Sequence, residues 1–175
     1  RIIFPYEDIP SPGTVREVSK GIFWARMPLP VLIDHVNVYI LEDEEGLSIV
    51  DTGLNFQNCK SAWLKILKKK FKDKPVKQVL ITHHHPDHVG LLGWFVKNKN
   101  SQVLASRTSW LMARMLHLDK QKKPSKAAKR FWIRAGMDKE IYDKKVASRP
   151  FNFSDGVAPI PLGFHALKQD QEIFM

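Results

Sequence analysis

The chain has one cysteine, Cys59, in 175 residues. A lone thiol excludes any intrachain disulfide, which suits a reducing compartment and equally a small periplasmic protein. The cytoplasm is the expected location. Long apolar runs are missing too. Nothing approaches the roughly 18 residues of a membrane span, and no charged-then-apolar leader is visible, so no membrane partner is expected. Acidic residues are the minority charge, 18 against 28 Lys and Arg, which leaves a net +10. What remains is the composition of a folded protein: 43% hydrophobic and 10% aromatic residues exclude a disordered chain. The length suits a single domain with a real core.

The basic excess has two readings. Between Asn55, a plausible N-cap, and Lys72, the residues Phe56, Cys59, Trp63, Ile66, Leu67 and Phe71 step by threes and fours. That spacing predicts one buried helical stripe, with the lysines on the opposite, solvated face. The stretch from Lys120 to Arg134 repeats the pattern with Ala127, Ala128, Phe131, Trp132 and Ala135. Clustered lysines can also attract phosphate without any motif, so a nucleic-acid surface is the sharper alternative. No aromatic-basic pattern of a single-strand binder accompanies them, and nucleic acid is not the expected partner.

Strand signals come first along the chain. After a Pro-rich lead-in over residues 1–13, Val15 to Met27 reads as β structure with a hairpin turn at Lys20-Gly21. His35 to Leu41 alternates Val36, Val38 and Ile40 with Asn37, Tyr39 and Leu41, and Leu47 to Val50 reads as a short buried strand. Gln102 to Ala105 is a further strand. From about 107 to 147 the pattern turns helical: Ser109 to Leu118 carries Trp110, Leu111, Met115 and Leu118 on one side, and Asp138 can cap a short helix to Val146. This block reads as a helical insertion within a single domain spanning residues 1–175. Trp110, Met112 and Trp132 either line an apolar substrate wall or pack in the core. Pro150, Pro159 and Pro161 leave irregular or short β structure to the end.

The chemistry concentrates in Thr82-His83-His84-His85-Pro86-Asp87-His88-Val89-Gly90, where four histidines and one aspartate fall within six residues after the run Val79 to Thr82. Extended residues alternate in direction, so side chains 83 and 85 share a side, and the bend at Pro86 turns Asp87 and His88 to a neighbouring point. Imidazoles and a carboxylate are what a borderline divalent ion such as zinc takes at neutral pH. A chance surface cluster and a tag are the bland alternatives; a tag would be terminal, and this run is internal between apolar segments.

His-x-His-x-Asp-His followed by Gly resembles the signature of the metallo-β-lactamase-fold hydrolases. The resemblance implies His83 and His85 on one metal, Asp87 and His88 on a second, and no ligand role for His84. Asp51-Thr52-Gly53, closing the strand at Ile49-Val50, is similar to a motif whose Asp buttresses the ligand loop. Asn37 with Tyr39 resembles the Asn-x-Tyr that often precedes it. On its own, Asp51 before a Gly is equally a turn residue. The two motifs lie about thirty residues apart, as a strand–helix–strand unit demands, which favours Asp51 as a support for the ligands.

What the resemblance implies is an α/β (α+β) chain of the family's αββα sandwich type, truncated to its N-terminal half plus the helical insertion. It covers residues 14 to 106 or so. The family's third His, bridging Asp and last His find no match: after residue 100 only His117 and His165 occur, and neither has a Gly-His context. The sequence is therefore expected to stop where those motifs begin, to leave one sheet face open, and to be inert alone. For the complete protein the resemblance implies two zinc ions, with iron or manganese as alternatives, and a small-molecule substrate. His85, where redox iron members carry Glu, argues against an oxidoreductase. The expected activity is hydrolysis of a small ester, thioester or lactone through a metal-bound hydroxide oriented by Asp87, in the glyoxalase II-like or lactonase-like branch. The alternatives are a nucleic-acid-acting or nucleic-acid-binding member of the same fold, and a catalytically inactive fragment.

Overall fold

Alternation of apolar and polar residues builds the first half of one sheet, and short apolar runs build the second. The computed structural model describes Ile3 and residues 5–173. Strands β1 (Arg16–Ser19), β2 (Ile22–Pro28), β3 (His35–Glu42) and β4 (Leu47–Val50) are successive antiparallel neighbours. The turn at Lys20-Gly21 forms as expected, with Gly21 at φ +75°, a region open to glycine without cost. From β4 onward the direction changes. β5 (Val76–Ile81), β6 (Gln102–Ser106) and β7 (His165–Leu167) run parallel to β4 and to one another, completing a seven-stranded sheet in sequence order among the described residues.

Parallel neighbours require crossovers of a dozen residues or more, and helices supply them. α1 (Gln57–Lys69) joins β4 to β5, and α2 (Pro86–Val89) with α3 (Leu92–Lys99) joins β5 to β6. α4 (Arg107–Leu118), α5 (Lys126–Arg134), α6 (Lys139–Ala147) and α7 (Phe153–Gly156) fill the connection from β6 to β7. The α/β class expected from sequence is the class observed. No helix among the described residues is long and apolar enough to cross a membrane.

The core lies between one sheet face and α1 with α3. Phe23, Ala25 and Met27 of β2 and Val36, Val38 and Ile40 of β3 are buried, as are Cys59, Trp63, Ile66 and Leu67 of α1. Full burial of each large apolar side chain is worth about 1.5–3 kcal/mol, and Trp63 also meets Phe95 of α3 edge-on at 5.1 Å. Lys65, Lys68 and Lys69 of α1 are exposed, as its stripe requires, and Lys70 at its C-cap places its Nζ over the Phe23 ring, 4.7 Å from the centroid. The opposite sheet face is open at β2 and β3. There Asn37 and Tyr39 are exposed, and Trp24 Nε1 donates to Asn37 Oδ1 at 2.8 Å.

Three local expectations are corrected. Asn55 does not cap α1: Phe56 holds the N-cap without a side-chain bond, and the Asn55 amide donates instead to Gly156 O at 2.8 Å. The expected stripe of α4 is not its packing face. Leu111, Met115 and Leu118 are exposed, while Ser109 and Ala113 are buried, because small side chains let the helix approach the sheet closely. α5 buries no residue; its Trp132 meets Tyr142 of α6 at 6.5 Å instead of joining the core. Asp138 does cap α6, accepting from the amides of Glu140 and Ile141.

Candidate metal centre

The histidine loop begins where β5 ends. Ile81 is the last strand residue, and Pro86 opens α2 at a position where its missing N–H costs nothing. The loop is bound to the end of β4 by backbone. Thr52 N and Thr52 Oγ1 both donate to His88 O at 2.8 Å, and Leu91 N donates to Thr52 Oγ1 at 2.9 Å. Trp63 Nε1 of α1 donates to Thr52 O at 2.7 Å, fixing this junction to the core.

Asp51 stands at the centre of the junction. It is buried, and its φ of +61° lies in the left-handed region that Asp tolerates better than most residues. Its Oδ1 accepts from Thr82 N at 2.9 Å, and its Oδ2 accepts from Thr82 Oγ1 at 2.6 Å. The same Oδ2 lies 2.8 Å from His88 Nδ1. A carboxylate only accepts, so Nδ1 of His88 donates and the neutral ring has its lone pair at Nε2. Thr82 has spent its one hydroxyl hydrogen on Asp51, so His83 Nδ1, at 3.0 Å from Thr82 Oγ1, must be the donor there. Both imidazoles are thereby left with Nε2 free. Sequence reasoning missed Thr82 and Thr52; a hydroxyl at a strand end carries no periodic signal.

The rings of His83, His85 and His88 are neighbours, and Asp87 lies beside His88. The His83 ring centroid is 4.6 Å from that of His85 and 4.0 Å from that of His88, while His88 Nε2 lies 3.4 Å from Asp87 Oδ2. His84 meets His85, with ring centroids 5.2 Å apart. Burial first, then His88 and His85, push the His83 imidazole below its ordinary range, toward the neutral form a metal requires. For His88, burial pulls down, but the hydrogen bond and charge of Asp51, with the charge of Asp87, outweigh it and hold the ring above its usual value. The donors fit a borderline divalent ion in type. In number they stop short: among the described residues no group of three His, Cys, Asp or Glu converges on one point.

The remaining candidates lie elsewhere. His165 is exposed on β7 beside Leu104, and His117 sits on α4. Burial, then Lys120 and Arg114, lower the His117 value. Trp110 stacks on Phe164 at 4.5 Å and donates to Pro161 O, which makes it a packing residue. Cys59 is buried in α1, donates to Pro28 O at 3.2 Å, and has its thiol pushed up to about 11 by burial.

A mixed sheet with two carboxylates and three histidines gathered at the ends of β4 and β5 defines the class: the chain belongs to the metallo-beta-lactamase superfamily, whose profile matches residues 32–167. Among curated proteins it is similar to the Bacillus subtilis (strain 168) protein named "Probable metallo-hydrolase YqjP", with 36% identity over 80 residues, 44% of this chain and 24% of that one. It is also 37% identical over 60 residues to a linear primary-alkylsulfatase of Pseudomonas sp. (strain ATCC 19151), covering 34% of this chain and 11% of that one. Among solved structures, a beta-lactamase domain protein from Burkholderia ambifaria superposes with a TM-score of 0.81 at 27% identity, covering 97% of this chain and 48% of that one. The chain thus spans about half the length of that structure and less of the curated relatives.

Proposed function

We propose that this protein is a metal-dependent hydrolase of a small ester, thioester or lactone, with zinc as the ion and iron or manganese as alternatives. One observation supports the reading: Asp51 and Thr82 engage Nδ1 of His88 and of His83, which leaves the lone pair of each neutral ring at Nε2, and His88 Nε2 lies 3.4 Å from Asp87 Oδ2. His83 and His85 would hold one ion, and Asp87 with His88 the other. Catalytic zinc takes about three protein ligands and an open position, so each ion requires a further donor beyond these four. Bound divalent ions supply a lowered water pKa and a polarised substrate oxygen.

The chain's own residues set the geometry. Asp87 accepts a hydrogen bond from the attacking water and aims its lone pair at the substrate carbonyl. Asp51 keeps the His88 ring from rotating, and Thr82 does the same for His83. The substrate is a small molecule, since the surrounding lysines lie on the solvent face of α1 and not on the loop.

Zinc titration followed by ester hydrolysis tests this. Changing both His83 and His85 to Ala should remove most bound zinc and leave the fold intact by circular dichroism. Unchanged stoichiometry in that variant would sink the ligand assignment. In the complete protein, Asp87→Asn should lower turnover by at least about a hundredfold, the scale of a positioned acid–base group. An active variant with an unchanged pH profile would show that Asp87 neither binds metal nor orients water.

A further inference from the structure

We infer that the substrate of the proposed hydrolase carries an uncharged aliphatic tail, seated in an apolar cleft whose inner wall is Asp87; this rests on the hydrolase reading above. The cleft has a volume of about 400 Å³, within the range of small-molecule sites. Three separate segments build it. The β2–β3 loop contributes Leu29, Val31 and Ile33, the turn after β4 contributes Leu54 and Phe56, and Phe151 closes the side before α7. Pro86 and Asp87 of the histidine loop complete it.

The chemistry of the walls selects the occupant. Among the described residues Asp87 is the one ionisable group in the lining, so an anionic body would find no counter-charge there and would lose its hydration. Val31, Ile33 and Phe151 are 64%, 69% and 67% exposed. Large apolar side chains from distant parts of the chain, held open to water around one carboxylate, mark a binding surface. An acyl chain lying along them places its polar end at Asp87, beside His88. Trp110, Met112 and Trp132, the sequence-stated candidates for this wall, take no part in it.

The full chain labelled with ¹³C in its methyl groups, titrated with 1-butanol and with 1-octanol, tests the cleft without any turnover. Octanol should shift the methyl signals of Leu29, Val31, Ile33 and Leu54 saturably and bind at least about tenfold more tightly. Each buried methylene is worth nearly fourfold, the equivalent of about 0.8 kcal/mol. Ile33→Asp and Phe151→Asp, both at exposed positions, should each abolish that difference. Equal affinities, or shifts confined to other methyls, overturn the inference. So does a wild-type dimer in light scattering that Ile33→Asp dissociates, since the cleft would then hold a second copy.

With zinc present, 4-nitrophenyl octanoate should show a KM at least about tenfold below that of the butanoate, as burial of the added methylenes requires. Ile33→Asp should erase this gap by raising the octanoate KM toward that of the butanoate. An octanol site in a full-length, zinc-loaded protein that hydrolyses neither ester overturns the hydrolase reading and not the cleft. Hydrolysis that ignores chain length, without methyl shifts, overturns the cleft and not the hydrolase reading.

Discussion

Among the single side chains, Asp155 and Asp51 show how differently two carboxylates are used. Asp155 is half-buried in the first turn of α7, where Arg149 Nη2 lies 2.6 Å from its Oδ1 and Asn152 N donates to its Oδ2 at 2.8 Å. Arg149 first, then the Asn152 amide, lower the Asp155 value to about 2, from an ordinary 3.8. A depressed carboxylate stabilises the fold fully above 3.8 and ceases to do so as pH falls toward 2. A carbon-detected NMR titration should therefore place its midpoint near 2, and Arg149→Ala should move it upward. A midpoint near 3.8 in the unaltered chain would refute the pairing. Asp51, by contrast, is buried and organises the cluster. Its position before Thr-Gly was visible in the sequence. Its left-handed backbone and its sharing of one oxygen between Thr82 and His88 were not, because both depend on β4 lying beside β5.

The elements divide along the same line. β2, β3 and the long helix α1 could be read from periodicity, since each buries one face in a regular rhythm, whereas β4 was legible as a short apolar run buried at Leu47, Ser48 and Ile49 in succession. α2 and α7, of four residues each, are too short to show a period. On α4 the apolar spacing was legible but its direction was not: Ser109 and Ala113 face the body because they are small. Close approach also decides the join of α2 to the β4 turn. A Cβ added at Gly90 would lie 2.5 Å from both Gly53 O and Pro86 O. Neither backbone oxygen can yield without breaking the turn that carries Asp51. Gly90→Ala should cost about 1–3 kcal/mol, the usual range for forced overpacking, as a lowered urea midpoint. No shift in midpoint would mean that the two loops are not in this contact.

For the molecule as a whole, the sheet places its chemistry at one rim. β4 is antiparallel to β3 and parallel to β5, and the cluster lies just past the carboxyl ends of β4 and β5, where open α/β sheets bind ligands. If the loop holds zinc, the folded state alone has that site, and mass action stabilises it. At a free zinc concentration a hundred times Kd the gain is about 2.7 kcal/mol, readable as a rise in Tm that a chelator reverses. The variant lacking His83 and His85 should show no rise. Equal rises in both proteins would place the binding elsewhere on the molecule.

The bonds from Thr52 to His88 reach across 36 residues of chain. Closing so long a loop is entropically costly, yet Val50 already pairs with Leu80 in the sheet, so the closure accompanies strand pairing. Folding kinetics and ligand entropy are then set by one event. The bonds from Thr52 and Asp51 hold the loop before anything arrives, so a ligand has little backbone to immobilise. Fraying of that one strand pair dismantles the site in the same step.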